Sequence, residues 1–146
     1  MKSACVPSAL GPLLGHAAHL ARERMDARMS RYDMTPAQTH TLLYLCDQGG
    51  SVPQREVVEH LRVKPSTVNG ILDRMEEKGL IRRTTDENDQ RQKRVSATEK
   101  GRELKVLVQN AFQDAEAAMA RGLRPDEVEA LRSLLCRIIE NLEEDR

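Results

Sequence analysis

The sequence predicts a mainly α fold carrying one small β-hairpin, and three observations lead there. Apolar residues recur at helical spacing over most of the chain. A pair of short, β-prone segments rich in arginine, joined by a polar tip, interrupts this pattern once, between Ile81 and Ala97. Aromatic residues make up only 2% of the 146 residues, against 39% hydrophobic overall. A core built from Leu, Val, Ile, Met and Ala favours helix packing, and the length suits a single domain spanning residues 1–146.

The elements follow in order. A first helix runs from about Ala9 to Tyr32, with Leu14, Ala18, Ala21, Met25 and Met29 as its apolar seam. The second opens at Thr35-Pro36-Ala37-Gln38. Thr35 caps, Pro36 suits the first helical position, and Gln38 completes a capping box. This helix carries Leu42, Leu43, Leu45 and Cys46 and stops at Gly49-Gly50. A third covers Gln54 to Leu61, with Val57, Val58 and Leu61 turned inward. After the turn Arg62-Val63-Lys64, a fourth runs from near Pro65 to near Lys78, with Gly79 as its stop signal. Val68, Ile71, Leu72 and Met75 form its single buried stripe.

Two strands come next, Ile81–Thr84 and Arg94–Ala97, around a tip of turn formers from Asp86 to Lys93. A fifth helix opens after Thr98, carries Leu104, Leu107, Val108, Ala111, Ala115 and Met119, and is broken by Gly122. A sixth begins at Pro125, with Asp126 and Glu127 set favourably against its N-terminal dipole. Val128, Leu131, Leu135, Ile138 and Leu142 give it a heptad-like seam, which Leu134 and Ile139 widen. One helix cannot hide so broad a stripe alone, so these residues are expected to meet a second copy of the chain, joined by the first helix.

A short helix, a tight turn, a second helix and a basic hairpin make a winged helix-turn-helix, and its chemistry points to duplex DNA. The face of the fourth helix opposite its buried stripe carries Ser66, Asn69, Gly70 and Asp73, flanked by Thr67 and Arg74. Small hydrogen-bonding side chains there allow close approach to base edges in a major groove. Pro65, Ser66, Thr67, Asn69 and Gly70 are therefore the expected major-groove surface. Lys64, Arg74, Arg82 and Lys93 are the expected phosphate contacts. The wing tip can reach the minor groove, whose concentrated negative potential attracts arginine. The formal net charge is zero, but residues 62–94 hold nine cations and six anions, while residues 126–146 hold seven anions and three cations. One basic lobe and one acidic lobe fit a protein that turns one face to phosphate.

These residues resemble the multiple-antibiotic-resistance regulator (MarR) family of bacterial transcription factors over nearly the whole chain. The most specific parts are Ser66 through Ile81 (STVNGILDRMEEKGLI), the wing Asp89-Gln90-Arg91, and Thr98-Glu99-Lys100-Gly101. The resemblance implies a two-fold dimer joined by terminal helices, about 9–32 and 99–144, with a DNA-binding lobe at about 35–98. It implies that Arg91 enters the minor groove and that Asp89 steadies it. It also implies small aromatic or phenolic effectors bound between the dimer region and the lobe. From the first two helices, His19, Arg22, Met25, His40, Leu43 and Tyr44 could line such a cleft, with Arg22 meeting a carboxylate. The chain departs from the family's usual pattern at Lys64, where a capping serine is common, at Pro53, at Ala97 and at Arg124.

The expected function is thus a homodimeric, cytoplasmic repressor that binds a palindromic operator and is released by a small molecule. No glycine-rich phosphate loop, His-Glu-x-x-His or nucleophile–base pair appears in the sequence, so neither enzyme activity nor a cofactor is expected. No stretch approaches the roughly 20 apolar residues of a membrane span, and the chain starts without the apolar run of a signal peptide. Other readings are a metal-responsive regulator using His16, His19, Glu23 and His40, a redox-responsive one using Cys5, Cys46 or Cys136, and a protein-interaction module of the same fold. Cys46 and Cys136 lie on or beside apolar stripes and are expected to be buried and inert.

Overall fold

The computed structural model describes residues 8–145; Cys5 lies outside the described residues. The order of elements is α1 (Leu10–Ser30), α2 (Pro36–Asp47), β1 (Ser51–Pro53), α3 (Gln54–Leu61), α4 (Pro65–Glu77), β2 (Ile81–Thr85), β3 (Lys93–Ala97), α5 (Glu99–Met119) and α6 (Pro125–Glu144). The chain divides after Phe112, within α5, into two units.

In the first unit, α2, α3, α4 and the sheet enclose one core. Leu42, Leu45, Val57, Val68, Leu72, Met75, Ile81, Val95 and Val108 are buried there, together with Met29 and Met34 from the end of α1 and the turn after it. The sheet is antiparallel with β3 in the centre. β2 and β3 form the expected hairpin, from Ile81 opposite Ala97 to Thr85 opposite Lys93. The third strand, β1, was not expected from the sequence. It sets Ser51, Val52 and Pro53 opposite Ser96, Val95 and Arg94. Arg94 reinforces this pairing, donating from Nη2 to the Ser51 carbonyl at 3.2 Å and from Nε to Ser51 Oγ at 3.3 Å.

Local chemistry fixes the helix ends. Thr35 Oγ1 accepts from the Gln38 N–H at 3.2 Å, and Gln38 Oε1 accepts from the Thr35 N–H at 3.4 Å, the capping box expected from the sequence. Gln38 Oε1 also accepts from Lys78 Nζ at 2.9 Å, and the same ammonium donates to the Asp33 carbonyl. These bonds tie the end of α4 to the turn before α2. Gly79, with φ +75°, ends α4 in the left-handed conformation that lets the chain turn into β2.

The carbonyls just released by α4 are all claimed by the start of α5. Lys100 Nζ donates to the Lys78 carbonyl at 2.7 Å, Thr98 Oγ1 to the Gly79 carbonyl at 2.6 Å, and the Thr98 N–H to the Leu80 carbonyl at 3.0 Å. Gly101 packs so closely on this segment that a Cβ would overlap the Leu80 carbonyl oxygen.

Much of α1 is not covered by the unit it belongs to. Met29 is buried and Met25 packs on the core, whereas Leu10, Leu13 and Leu20 are exposed.

In the second unit, α6 starts at Pro125, and Glu127 Oε2 accepts from the Arg124 N–H at 2.8 Å, one half of a capping box. Arg124 reaches Asp126 and Glu127 through its guanidinium, so charge pairing replaces the hydroxyl usual at this position. Leu131, Leu134, Ile139 and Leu142 are all exposed. Cys136, expected to be buried, is exposed as well. It lies on the same helix as the apolar residues, and nothing in its own unit covers it. Among the described residues, no helix is long and apolar enough to cross a membrane.

Candidate nucleic-acid interface

The HTH turn sets the angle between α3 and α4. Arg62 ends α3 in the left-handed region at φ +54°, and its N–H donates to the Val58 carbonyl at 3.0 Å. Lys64 then occupies the N-cap of α4 in an extended conformation and makes no side-chain cap bond. Its ammonium is therefore uncommitted to the helix. The Thr67 and Val68 N–H groups both donate to the Lys64 carbonyl, at 3.0 and 3.1 Å, so the Ser66 N–H is the one left open in the first turn. Pro65 at the first helical position has no N–H to satisfy.

Val68, Leu72 and Met75 are buried in the core, so the other side of α4 faces outward. Pro65, Ser66, Thr67, Asn69, Gly70 and Arg74 are all exposed. A side chain at Gly70 would meet nothing within 4 Å. Gly70 therefore has no packing role within the chain, and its small size keeps that face low.

The wing is built by its own side chains. Asp86 Oδ1 accepts from the Asn88 N–H at 3.1 Å, and Asp89 Oδ1 from the Arg91 N–H at 3.0 Å. These are Asx turns, in which a short carboxylate replaces a backbone acceptor. Asp89 thus holds the Arg91 backbone, which leaves the guanidinium exposed and available. The hairpin closes through the Asp86 N–H, which donates to the Gln92 carbonyl at 2.8 Å.

Two arginines of the basic segment serve the fold. Arg94 binds Ser51, as described, and Arg83 joins β2 to α4. The Arg83 guanidinium contacts Asp73 and reaches Glu76 Oε1 at 3.2 Å, and its backbone N–H donates to Glu76 Oε2 at 2.9 Å. The Arg83 N–H holds the Glu76 carboxyl below the usual carboxylate range, against a smaller opposing push from burial. A lowered native value stabilises the fold above the ordinary glutamate range, and this contribution is lost as pH falls through the lowered value. The link between wing and helix is thus fully present at neutral pH and released only in acid. The Arg83 amide resonance should report this, with a midpoint below the roughly 4.3 of an ordinary glutamate.

The recognition face and the wing share one cleft of about 520 Å³, lined in part by Pro65 and Asn69 from α4 and by Arg91 and Lys93 from the wing. Four residues expected from the sequence to face DNA thus meet around a single opening. Lys64, Ser66, Thr67, Gly70, Arg74 and Arg82 are exposed but do not line it, and Asp89 acts through the backbone. Gln54, Arg55 and Gln92 also line this cleft and were missed. Arg55 follows directly on the start of α3, and a cation there was a usable signal. For Gln54 no sequence signal existed, because its partner is Asn69, fifteen positions away.

The side chains considered for an effector are spread out. His19 and Arg22 are exposed on α1, with His19 Nε2 at 4.0 Å from Glu23 Oε2. Met25, Leu43 and Tyr44 pack against the core, and His40 is exposed. The Tyr44 ring stacks on His60 with centroids 4.1 Å apart, and its hydroxyl lies 3.5 Å from Glu56 Oε2. A separate cleft of about 480 Å³ lies at the end of α1, where Tyr32, Leu80, Leu104 and Leu107 form an apolar wall beside charges of both signs, Arg31, Lys78 and Lys100 with Asp33 and Glu103. Among the described residues, no group of three or more His, Cys, Asp or Glu side chains could hold a metal ion. Burial pushes the Cys46 thiol up, which disfavours its thiolate.

Residues 32–92 match a family model described as MarR family. The chain is also similar to MepR, a transcription regulator of the Staphylococcus aureus multidrug efflux pump MepA, at 27% identity and a TM-score of 0.80 over 92% of this chain and 98% of that one. It is similar to wild-type MarR from E. coli in its apo form at 25% identity and a TM-score of 0.76, over 90% and 97%. A MarR-family transcriptional regulator from Rhodococcus sp. RHA1 gives 26% identity and a TM-score of 0.72, over 90% and 96%.

Proposed function

Since the chain belongs to the MarR family of winged-helix transcriptional regulators, we propose that it is a sequence-specific, homodimeric repressor that binds a palindromic operator and leaves it when a small effector binds. The observation that carries this reading is the shared cleft, where the outward face of α4 and the wing cations Arg91 and Lys93 converge. Pro65, Ser66, Thr67, Asn69 and Gly70 read the major groove. Lys64, Arg74, Arg82 and Lys93 hold phosphates, and Arg91, set by Asp89, enters the minor groove.

The lobe of about residues 35–98 carries this surface, and the helices before and after it carry dimerisation. In the proposed seam of Val128, Leu131, Leu135, Ile138 and Leu142 on α6, Leu131 and Leu142 are exposed and the other three half-buried, and Leu134 and Ile139 beside it are exposed too. These residues and the exposed leucines of α1 support this. A two-fold dimer would set two recognition helices about one DNA turn, roughly 34 Å, apart. The effector is a small aromatic or phenolic compound with an anionic group. The cleft at the end of α1 offers such a molecule an apolar wall and the Arg31 cation, while its Lys78 and Lys100 ammoniums are bonded within the fold and Asp33 and Glu103 oppose an anion there. The His19, Arg22, Met25, His40, Leu43 and Tyr44 set on α1 and α2 is a separate source of contacts. It must bind one lobe spacing better than the other, or it could not release DNA.

Selection of bound sites from a random duplex pool, followed across salt, tests the reading. A palindrome with half-sites one turn apart and a steep salt slope is the expected outcome. Salt-sensitive binding without enrichment would replace sequence-specific regulation with architectural binding, and no binding would favour a protein-interaction module. On the selected site, Arg91→Ala is expected to weaken binding severalfold or more and to lower the salt slope by about one. An unchanged isotherm would remove the wing from the mechanism.

A further inference from the structure

We propose that Gln54 is a positioning residue that fixes the direction of the Asn69 amide, so that α4 presents a hydrogen-bond donor, and not an acceptor, to one base of each half-site. The proposal rests on the DNA-binding reading above and adds a residue and a sense of recognition to it.

Gln54 opens α3 directly after Pro53, whose strand pairs with β3, so its backbone is held from both sides. Its Nε2 donates to Asn69 Oδ1 at 2.6 Å. Its Oε1 is buried and has no partner. Buried polar atoms are almost always satisfied, so an orphan carbonyl beside a functional surface calls for a physical reason.

An asparagine amide carries an acceptor at one end and two donors at the other. Unrestrained, it reads a base edge in either sense. Once Oδ1 accepts from Gln54, the outward end is Nδ2. Turning Asn69 alone would set one NH2 group against another. Turning both amides would restore the bond but bury the Gln54 NH2 where its carbonyl now sits. Two unsatisfied N–H donors cost more there than one under-used carbonyl. The orphan Oε1 is thus what locks the pair in one direction. In a major groove, an outward Nδ2 complements the keto oxygens O6 of guanine and O4 of thymine and opposes the amino groups of adenine and cytosine.

The test is site selection from a random duplex pool with the wild-type chain, Gln54→Glu, Gln54→Met and Asn69→Asp, each checked for folding by thermal melt. A carboxylate at position 54 only accepts, so Asn69 must turn Nδ2 inward and offer Oδ1 to the base. Gln54→Glu is expected to exchange keto for amino preference at one position in each half-site, by about tenfold in relative enrichment. Asn69→Asp, which keeps the bond to Gln54 but has only acceptors, should give the same exchange. Gln54→Met, which should fold even if a buried charge does not, releases Asn69 and should flatten preference at that position alone. Added negative charge lowers overall affinity in two of these variants, so preference is the readout.

If the wild-type chain selects a palindrome and all three variants keep its preference while losing affinity evenly, Gln54 is only structural and the proposal is overturned. If the wild-type chain selects nothing, the DNA-binding reading itself fails and the proposal falls with it.

Discussion

Replacing Gly101 with alanine is expected to destabilise the first unit by about 3 kcal/mol or more, at the upper end for an overpacked site. The added methyl would overlap the Leu80 carbonyl oxygen and touch Leu42 Cδ1 at 3.4 Å. A flexible side chain could move aside, but this carbonyl cannot. It accepts the Thr98 N–H, and its neighbours at Lys78 and Gly79 are held by Lys100 and Thr98. Relief requires α5 to lift from the end of α4, which breaks several of these bonds together. Urea unfolding monitored by circular dichroism measures the loss. A midpoint within error of the wild-type value would show that the junction has slack it does not display.

The second large effect concerns assembly. Leu131→Asp combined with Leu142→Asp is expected to convert the proposed dimer to monomer and to reduce operator affinity by about 10²-fold or more, because the second lobe then no longer binds as a tethered partner. Both leucines are exposed in the single chain, at 49% and 63%. Each is worth roughly 1.5–3 kcal/mol when buried, and a two-fold interface counts every substitution twice. Their exposure also means that the single chain loses little packing by the change. Sedimentation velocity and operator titration should therefore shift together while the far-UV circular dichroism of the full variant chain keeps its helix content. A variant that stays dimeric would move the interface away from α6.

What the sequence revealed was chemistry acting over short separations. The Thr35–Gln38 capping box, the left-handed Gly79 and the stripe of α4 each follow from residues within a turn or two of one another. β1 was hidden because three residues ending in proline show no period, and it is a strand only because β3 lies beside it. Thr39 and Thr41 of α2 carry hydroxyls that nothing in the sequence assigns to the core. Both are buried, each spending its hydroxyl on a carbonyl one turn back, Thr35 and Ala37 respectively. At the candidate interface, residue types picked out the exposed cations and small polar groups. Arg83 and Arg94 are not among the expected contacts, but nothing in the sequence assigns them partners inside the fold. Those partners, Asp73, Glu76 and Ser51, arrive from other elements.

The Arg83 clamp has a consequence for genetics. By pairing with Asp73 it masks a carboxylate on the very helix proposed to face DNA. Losing the arginine would uncover a negative charge facing the phosphates and loosen the wing in the same event. A screen for alleles that relieve the proposed repression should therefore recover Arg83 as readily as the proposed contact residues, although it is not one of them. Second-site suppressors should fall at Asp73, where a neutral side chain removes the charge that Arg83 had been hiding.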